Sequence, residues 1–405
     1  MLPKLTAPAL LLLLLLLPAC SGKQAPPAAG QVIDLSGIWD QPQEILLSSI
    51  ATDIEYVPLE TTPECLLGDP DKLTVTITDR HIAINSGGLK LFDREGHFLR
   101  AIGSQGRGPL EYVSSSEYVI DEQKQQVHIL DAATKRVLTY GLDGSYSGVF
   151  RVGPEPIRIV IDPQGRIGVF YLSENPDPAY AARVEWYTGK GALDKTIPVY
   201  SGRPRGAGWV IAANCYQTEN QLLFNENPFD TTYRLQKDHS WEPRWIIRVG
   251  PGRFPPEISM DISRFSQELD KYILARPGAE TSRYLFITIH SGSGSGLVVF
   301  DKKSLTARYM PQELFGNRGW NLITNDLDGG LPLKLGLQMG EDQGDSWYAN
   351  LLSPLELITW LKEQPGPGAP GIRPSLREHL LGLVDRLHED DNPVVMIVKL
   401  KNEDE

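Results

Sequence analysis

Cysteine is nearly absent, with three residues in 405. No disulfide framework can hold such a chain together, so it must build an apolar core instead. Histidine is scarce too. His81, His97, His128, His239, His290, His379 and His388 show neither the H-x-x-x-H nor the H-E-x-x-H spacing of a zinc site. No metal and no cofactor is therefore expected, although side chains far apart in sequence can still meet in space. There is no long basic block, and the net charge is −12. Acidic charge repels phosphate backbones, which sets nucleic acid aside as a partner. One apolar run stands out, Leu10–Leu17. It is short for a bilayer-spanning helix, which needs about 20 residues.

Glycine and proline are plentiful, at 38 and 31. Together they imply many turns, and so many short strands rather than long helices. The turns recur in order. Leu89–Gly103 (LKLFDREGHFLRAIG) reads as strand, Asp-x-x-Gly turn, strand, glycine, and Arg136–Gly153 repeats it. Asp93 and Asp143 stand 50 residues apart, as do Gly103 and Gly153. Thr231–Gly250 and Gly296–Met310 are further copies, and Arg183–Tyr200 is a weaker one. Each hairpin follows another strand pair, as in Leu73–Asn85, Tyr118–Leu130, Ile157–Phe170 and Gln217–Phe224. In Ile157–Phe170 the turn is Asp162-Pro163-Gln164-Gly165, where proline presets φ and glycine accepts a positive one.

The unit is thus four strands in roughly 40 to 55 residues, near the period of propeller blades. Five units run from Leu73 to Met310 and a sixth from Trp320 onward. A four-stranded antiparallel sheet cannot bury both faces alone; radial stacking of several does so. The expected fold is all-β: a six-bladed β-propeller of four-stranded antiparallel blades. Asp53–Glu60 and Val394–Leu400, at opposite ends of the mature chain, are expected to pair and close the ring. Three stretches have helical spacing instead, at about 258–275, 354–364 and 375–389. The first is expected to end at Pro277-Gly278, and the second to start at an N-cap, Ser353, followed by Pro354. Packing is the expected role of all three.

The N-terminus, MLPKLTAPALLLLLLLLPAC, has a basic start at Lys4 and then the leucine block, the plan of an export signal. Leu17-Pro18-Ala19-Cys20 resembles the lipobox of bacterial lipoproteins. The resemblance implies a signal peptide over 1–19 and lipid on Cys20, so that the membrane is met through the N-terminal lipid only. The alternative is an ordinary secretory signal that happens to hold a cysteine. Ser21–Gly30 (SGKQAPPAAG) reads as a flexible tether, and 20–50 as tether and lead-in. A single propeller domain is expected over 51–405. Cys65 and Cys215 are either two buried thiols or, in an exported protein, a disulfide.

More of the chain resembles a known group, the six-bladed β-propeller lipoproteins common in Bacteroidetes, relatives in architecture of NHL-type propellers. The likeness rests on LPAC, on Ile54–Thr62 (IEYVPLETT) with Leu67-Gly68, on Lys90–Tyr112 and on Asp390–Lys401 (DDNPVVMIVKLK). The family form of one loop is Gly-x-Gly-Pro-Gly-Glu-Tyr, and here Leu110 replaces a glycine. The resemblance implies an envelope protein, an outer-membrane lipoprotein facing the periplasm or the surface, and carries no catalytic residues to transfer. Ser21 after Cys20 lacks the aspartate linked to inner-membrane retention in some bacteria.

No catalytic constellation emerges from the residues. Ile102–Tyr112 (IGSQGRGPLEY) has glycines in the order G-x-x-G-x-G, without Lys-Ser/Thr or a following helix, so it does not cradle phosphate. Ser291–Gly296 (SGSGSG) puts glycine where a nucleophile elbow needs serine. Asn325–Gly330 lacks the spacing of a calcium loop and reads as a polar hairpin turn. Arginines and aromatics among loop glycines remain: Arg205 with Trp209, Arg253 beside Phe254, and Arg318 with Trp320. Forked donors and flat faces suit sugars or peptides. Arg107 and Glu111 on the crossover either pair together or face the axial funnel. The function expected is a monomeric, lipid-anchored binding module for a glycan, a peptide or a partner envelope protein. The competing class is a lyase or hydrolase acting in the funnel.

Overall fold

The computed structural model describes residues 30–115, 117–162, 164–171, 183–198, 213–218, 221–226, 230–255, 257–258, 262–292, 294–311, 321–335, 339–342, 345–363 and 371–404. Two strands precede the repeats, β1 (Gln31–Asp34) and β2 (Ala51–Pro58). Blade one holds β3 (Thr74–Ile77), β4 (His81–Asn85), β5 (Leu89–Asp93) and β6 (Phe98–Ile102). Blade two holds β7 (Glu117–Asp121), β8 (Gln126–Asp131), β9 (Arg136–Gly141) and β10 (Tyr146–Arg151). Blade three holds β11 (Pro156–Ile161), β12 (Ile167–Tyr171), β13 (Arg183–Tyr187) and β14 (Leu193–Pro198). Blade four holds β15 (Ala213–Thr218), β16 (Gln221–Glu226), β17 (Thr231–Leu235) and β18 (Trp241–Arg248). Blade five holds β19 (Leu274–Glu280), β20 (Tyr284–Ser291), β21 (Gly294–Asp301) and β22 (Thr306–Pro311). A separate hairpin, β23 (Asn321–Ile323) with β24 (Leu333–Leu335), precedes β25 (Met339–Asp342), β26 (Asp345–Leu352) and β27 (Val394–Leu400). Blade six is ordered β2-β27-β26-β25, which completes a six-bladed β-propeller.

Alternation along each strand explains why the blades stack. Ile129 and Leu138 pack with Leu89 and Leu91 of blade one, while their neighbours Leu130 and Val137 pack with Ile159 and Val169 of blade three. Successive side chains point to opposite faces, so each blade feeds two cores. Comparable cores fill the remaining gaps: Phe170 with Phe224, Trp245 with Ile287, Phe286 with Tyr348, and Phe92 with Val395. A large apolar side chain buried in this way stabilises by about 1.5–3 kcal/mol.

The first strand of each blade is innermost. β7 and β11 touch, whereas the fourth strands β10 and β14 are largely exposed. The turns between third and fourth strands lean on the preceding blade's outer strand. Glu60 N–H donates to Gly96 O at 2.8 Å, Arg100 to Asp143 O at 2.7 Å, and Trp241 Nε1 to Pro198 O at 3.2 Å. β2 and β27 pair antiparallel from Ala51–Leu400 to Pro58–Val394, so the sixth blade is made from both ends of the chain.

Several expectations change. The folded body takes in the lead-in. β1 adds in parallel to β18, and Ile33, Leu35, Ile45 and Leu47 are buried, so ordered packing begins near Gly30 rather than at 51. The helix expected over 258–275 shrinks to α1 (Ile262–Glu268) and a 3₁₀ turn (Leu269–Lys271). Pro277 and Gly278 do not end it; they form a bulge in β19. β19 is an inner edge, where proline removes no needed ladder bond. The other helices are α2 (Pro354–Glu363) and α3 (Pro374–Val384). Ser353 Oγ accepts the Glu356 N–H at 3.4 Å. α3 stops at Val384, short of the expected 389, and turns its buried side through Arg377, Leu380 and Leu383. Cys65 is a free, buried thiol that donates to Glu60 O at 3.0 Å. The side chain of Cys215, and all of Cys20 to Ala29, lie outside the described residues. Among the described residues no helix is long and apolar enough to cross a membrane.

Candidate functional site

Antiparallel alternation sorts the connections by rim. Links from first to second strands fall at 78–80, 122–125, 162–166 and 281–283, all short and all on one rim of the channel. Links from second to third strands, and from blade to blade, leave from the other rim. They include 59–73, 103–116, 249–273 and 353–393. Every long insertion thus falls on one face, where loops held by a rigid scaffold present side chains.

The innermost strands carry charge beneath that rim. Glu117 begins β7 and Arg158 lies in β11. They occupy equivalent places, opposite Leu130 and Phe170, each next to last in its second strand. Their side chains meet at 3.5 Å and are 30% and 26% exposed. The Glu117 carboxylate also accepts the Ile159 N–H. Burial pushes this carboxyl above its ordinary range, and Arg158 opposes that only in part. Arg276 behaves alike on the inner strand β19: exposed by area, its guanidinium is held below its usual value by burial. Blades two and five are three steps apart in a ring of six, so β19, which carries Arg276, lies across the axis from β7. This arrangement can take a carboxylate between guanidinium groups, or a zwitterion.

The residues singled out from sequence have mixed fates. On the crossover Ile102–Tyr112, Gly103 has φ +62°, and Tyr112 is buried, donating to Ile102 O at 2.9 Å and accepting the Leu89 N–H at 3.1 Å. Glu111 turns inward and accepts the Gly108 N–H at 2.7 Å. Arg107 is exposed and has no partner among the described residues, so the two neither pair nor share a site. Arg253 forms an ion pair with Asp230 at 2.7 Å, and Phe254 beside it is packed against Phe265 and Tyr272. That loop is therefore braced from within. Arg205, Trp209, Arg318 and Trp320 lie outside the described residues. Their segments join β14 to β15 and β22 to β23, strand ends that open on the long-loop side.

Sequence reasoning missed Glu117, Arg158 and Arg276. The signal was present: a charged residue inside the first, otherwise apolar strand of a unit. Asn325–Gly330 lies in the connection of the β23–β24 hairpin, as expected, and its polar side chains Asn325 and Asp328 are buried. Asp328 accepts from Tyr56 Oη at 2.9 Å, Asn325 Nδ2 at 2.7 Å and Gly330 N at 2.7 Å. Arg377 caps it by donating to Asp328 O at 3.1 Å. These protein donors occupy the carboxylate, and the turn pins β2 to the inserted hairpin and α3. Among the described residues no three His, Cys, Asp or Glu side chains gather as a metal cluster would.

The chain is similar to a solved Bacteroides fragilis protein named as exported, at 18% identity and a TM-score of 0.64, over 92% of this chain and all of that one. It is also similar, at 9% identity and a TM-score of 0.48, to a Bacteroides vulgatus member of the DUF4221 family, over 87% of this chain and 97% of that one. Virginiamycin B lyase from Staphylococcus aureus matches at 11% identity and a TM-score of 0.38, over 73% of this chain and 81% of the lyase. No curated protein matches the chain. The first likeness supports the propeller fold and nothing finer. One family model spans residues 30–399, nearly all of the described body, and the chain belongs to that family, the domain of unknown function DUF4934.

Proposed function

We propose that this protein is an exported, lipid-anchored binding module of the cell envelope, held to the outer membrane through Cys20, without turnover of its own. The ligand reaches the axial channel from the long-loop rim and presents a carboxylate to Arg158 and Arg276. Glu117 holds Arg158 and offers a counter-charge for an ammonium. The observation that carries this reading is the Glu117–Arg158 ion pair, partly exposed at 3.5 Å on the adjacent inner strands β7 and β11. Of the ligand classes open to it, a glycan, a peptide or a partner envelope protein, a peptide end bearing both charges fits this wall best. The lipobox-like LPAC and the relative named as exported support the location. The blade repeat supports kinship with NHL-type propellers.

Calorimetric titration of short peptides with free C-terminal carboxylates, against their amidated counterparts, tests the channel. The free-acid forms should bind, and Arg276→Ala should weaken them about tenfold, the worth of a charge-assisted pair, without lowering Tm. Equal binding of amidated peptides, or no response to Arg276→Ala, would remove the channel from consideration. The anchor has its own test. Cys20→Ser should move the protein from the membrane to the soluble envelope fraction, and continued pelleting with membranes would refute lipidation there.

A further inference from the structure

A second concavity, of 330 Å³, opens at the long-loop end of blade five, where β20 and β22 finish and the crossover enters β19. Its size lies within the range of small-ligand sites. Four parts of the chain build it, among them the end of β20 and its turn, with Ile289, Ser291 and Gly292. The lead-in contributes Trp39 and Pro42, the crossover before β19 contributes Asp270–Ile273, and β22 contributes Tyr309 and Pro311.

The walls are fixed before any ligand arrives. Trp39 Nε1 donates to Val249 O at 2.9 Å, and its ring meets Tyr309 edge-on at 5.1 Å. Tyr272 is braced by Phe254, with ring centres 5.7 Å apart. Gly292 lets the crossover lie against the β20–β21 turn, since a Cβ there would stand 2.0 Å from Asp270 O. That contact sets Asp270 at the rim, 80% exposed, with His290 Nε2 at 3.6 Å. Lys271 follows it, also largely exposed.

We propose that this cleft is a saccharide site that takes a neutral pyranose. A pyranose has an apolar C–H face ringed by hydroxyls. Flat aromatic walls suit the face, and a carboxylate beside an ammonium accepts from and donates to the hydroxyls. Consecutive charges of opposite sign favour neither an anion nor a cation, which separates this cleft from the arginine-bearing channel. The inference stands independently of the channel function, because the two sites share no residue.

The test uses the full-length protein in detergent. An array of neutral gluco-, xylo-, manno- and galacto-oligosaccharides is screened, and hits are measured by calorimetry. At least one should bind. Affinity should fall about tenfold in Trp39→Ala and in Asp270→Ala, and be largely kept in Trp39→Phe, which retains a flat ring. Asp270 is too exposed for its loss to act through folding, so Asp270→Ala decides the matter if Trp39→Ala does not fold. Absence of any neutral hit overturns the proposal, as does unchanged binding in Asp270→Ala. A cleft-dependent response to proline-rich peptides alone would also overturn it, in favour of a peptide groove.

Discussion

His128 shows how a single buried side chain links this fold to pH. It is 1% exposed on β8, with Nδ1 2.9 Å from Thr139 Oγ1 and Nε2 without a partner. Burial holds its imidazole down to about 4, and Asp121 nearby opposes that only in part. An unfolded chain titrates this group near 6.5. The folded state therefore binds fewer protons between these values, and its stability is full above pH 6.5 and lost as pH falls toward 4. The loss is on the order of 3 kcal/mol across that window. Thermal melts should show Tm dropping there, and His128→Leu should flatten that limb; an unchanged limb would refute the assignment. Glu117 has the opposite sign. Its folded carboxyl titrates higher than the unfolded one, so its contribution is present at low pH and lost as pH rises. Glu117→Gln should therefore leave the protein at least as stable at neutral pH, which is what a residue kept for binding predicts. Gly103→Ala, by contrast, puts a Cβ 2.7 Å from the Tyr140 ring at a positive φ. It should cost about 1–3 kcal/mol in chemical denaturation.

Two elements carry the integrity of the ring. β27 sits between β2 and β26, so removing residues 394–405 takes the middle from blade six and opens the closure. That truncation should abolish the cooperative melt, and a melt of full height would contradict closure by these strands. The lead-in is the less obvious element. It crosses from β18 past blade five, with Gln43 N–H on Tyr309 O at 2.7 Å, to Lys401, whose N–H reaches Ile50 O at 2.9 Å. Ile33, Leu35, Ile45 and Leu47 bury fully or nearly so, about 6–12 kcal/mol of apolar contribution. That is the size of a typical net stability. A chain starting at Ala51 should therefore fail to fold although it holds every strand of the six blades; soluble, cooperative expression of it would show the strap to be dispensable.

At the scale of the whole molecule, the two channel rims differ because the loop lengths differ. The short rim is tied turn to turn, as by His81 Nδ1 with Glu122 Oε1 at 2.7 Å and Lys124 Nζ on Gly165 O at 2.9 Å. The long rim carries the crossovers. Binding should follow that asymmetry. Substitutions around Glu122 should change Tm and leave peptide titrations unaltered, whereas Arg276→Ala should do the reverse. Any shift of peptide affinity by Glu122→Ala at constant Tm would move the site to the other rim.

The sequence by itself determined the blade. Hairpins such as Leu89–Gly103 are local: alternating strands, a turn residue that permits the reversal and a terminal glycine all lie within a few residues. Such order survives in one dimension, and the strand pairs 73–85 and 157–170 were legible for the same reason. The tertiary structure decided what depends on neighbours. Pro277 and Gly278 read as a helix stop, but in space they are a bulge on an inner edge paired with β20. Asp328 reads as part of a polar hairpin turn, but only the fold shows that Tyr56, 272 positions earlier, supplies its donor. Glu117, Arg158 and Arg276 are ordinary charges within apolar strands until the ring turns those strands toward one axis. The lead-in reads as lying outside the propeller, because nothing in one dimension says that blades four, five and six will offer it a surface. The crossover Ile102–Tyr112 lies between these cases: its glycines mark the turn, but only packing shows Glu111 folded inward and Arg107 left outside.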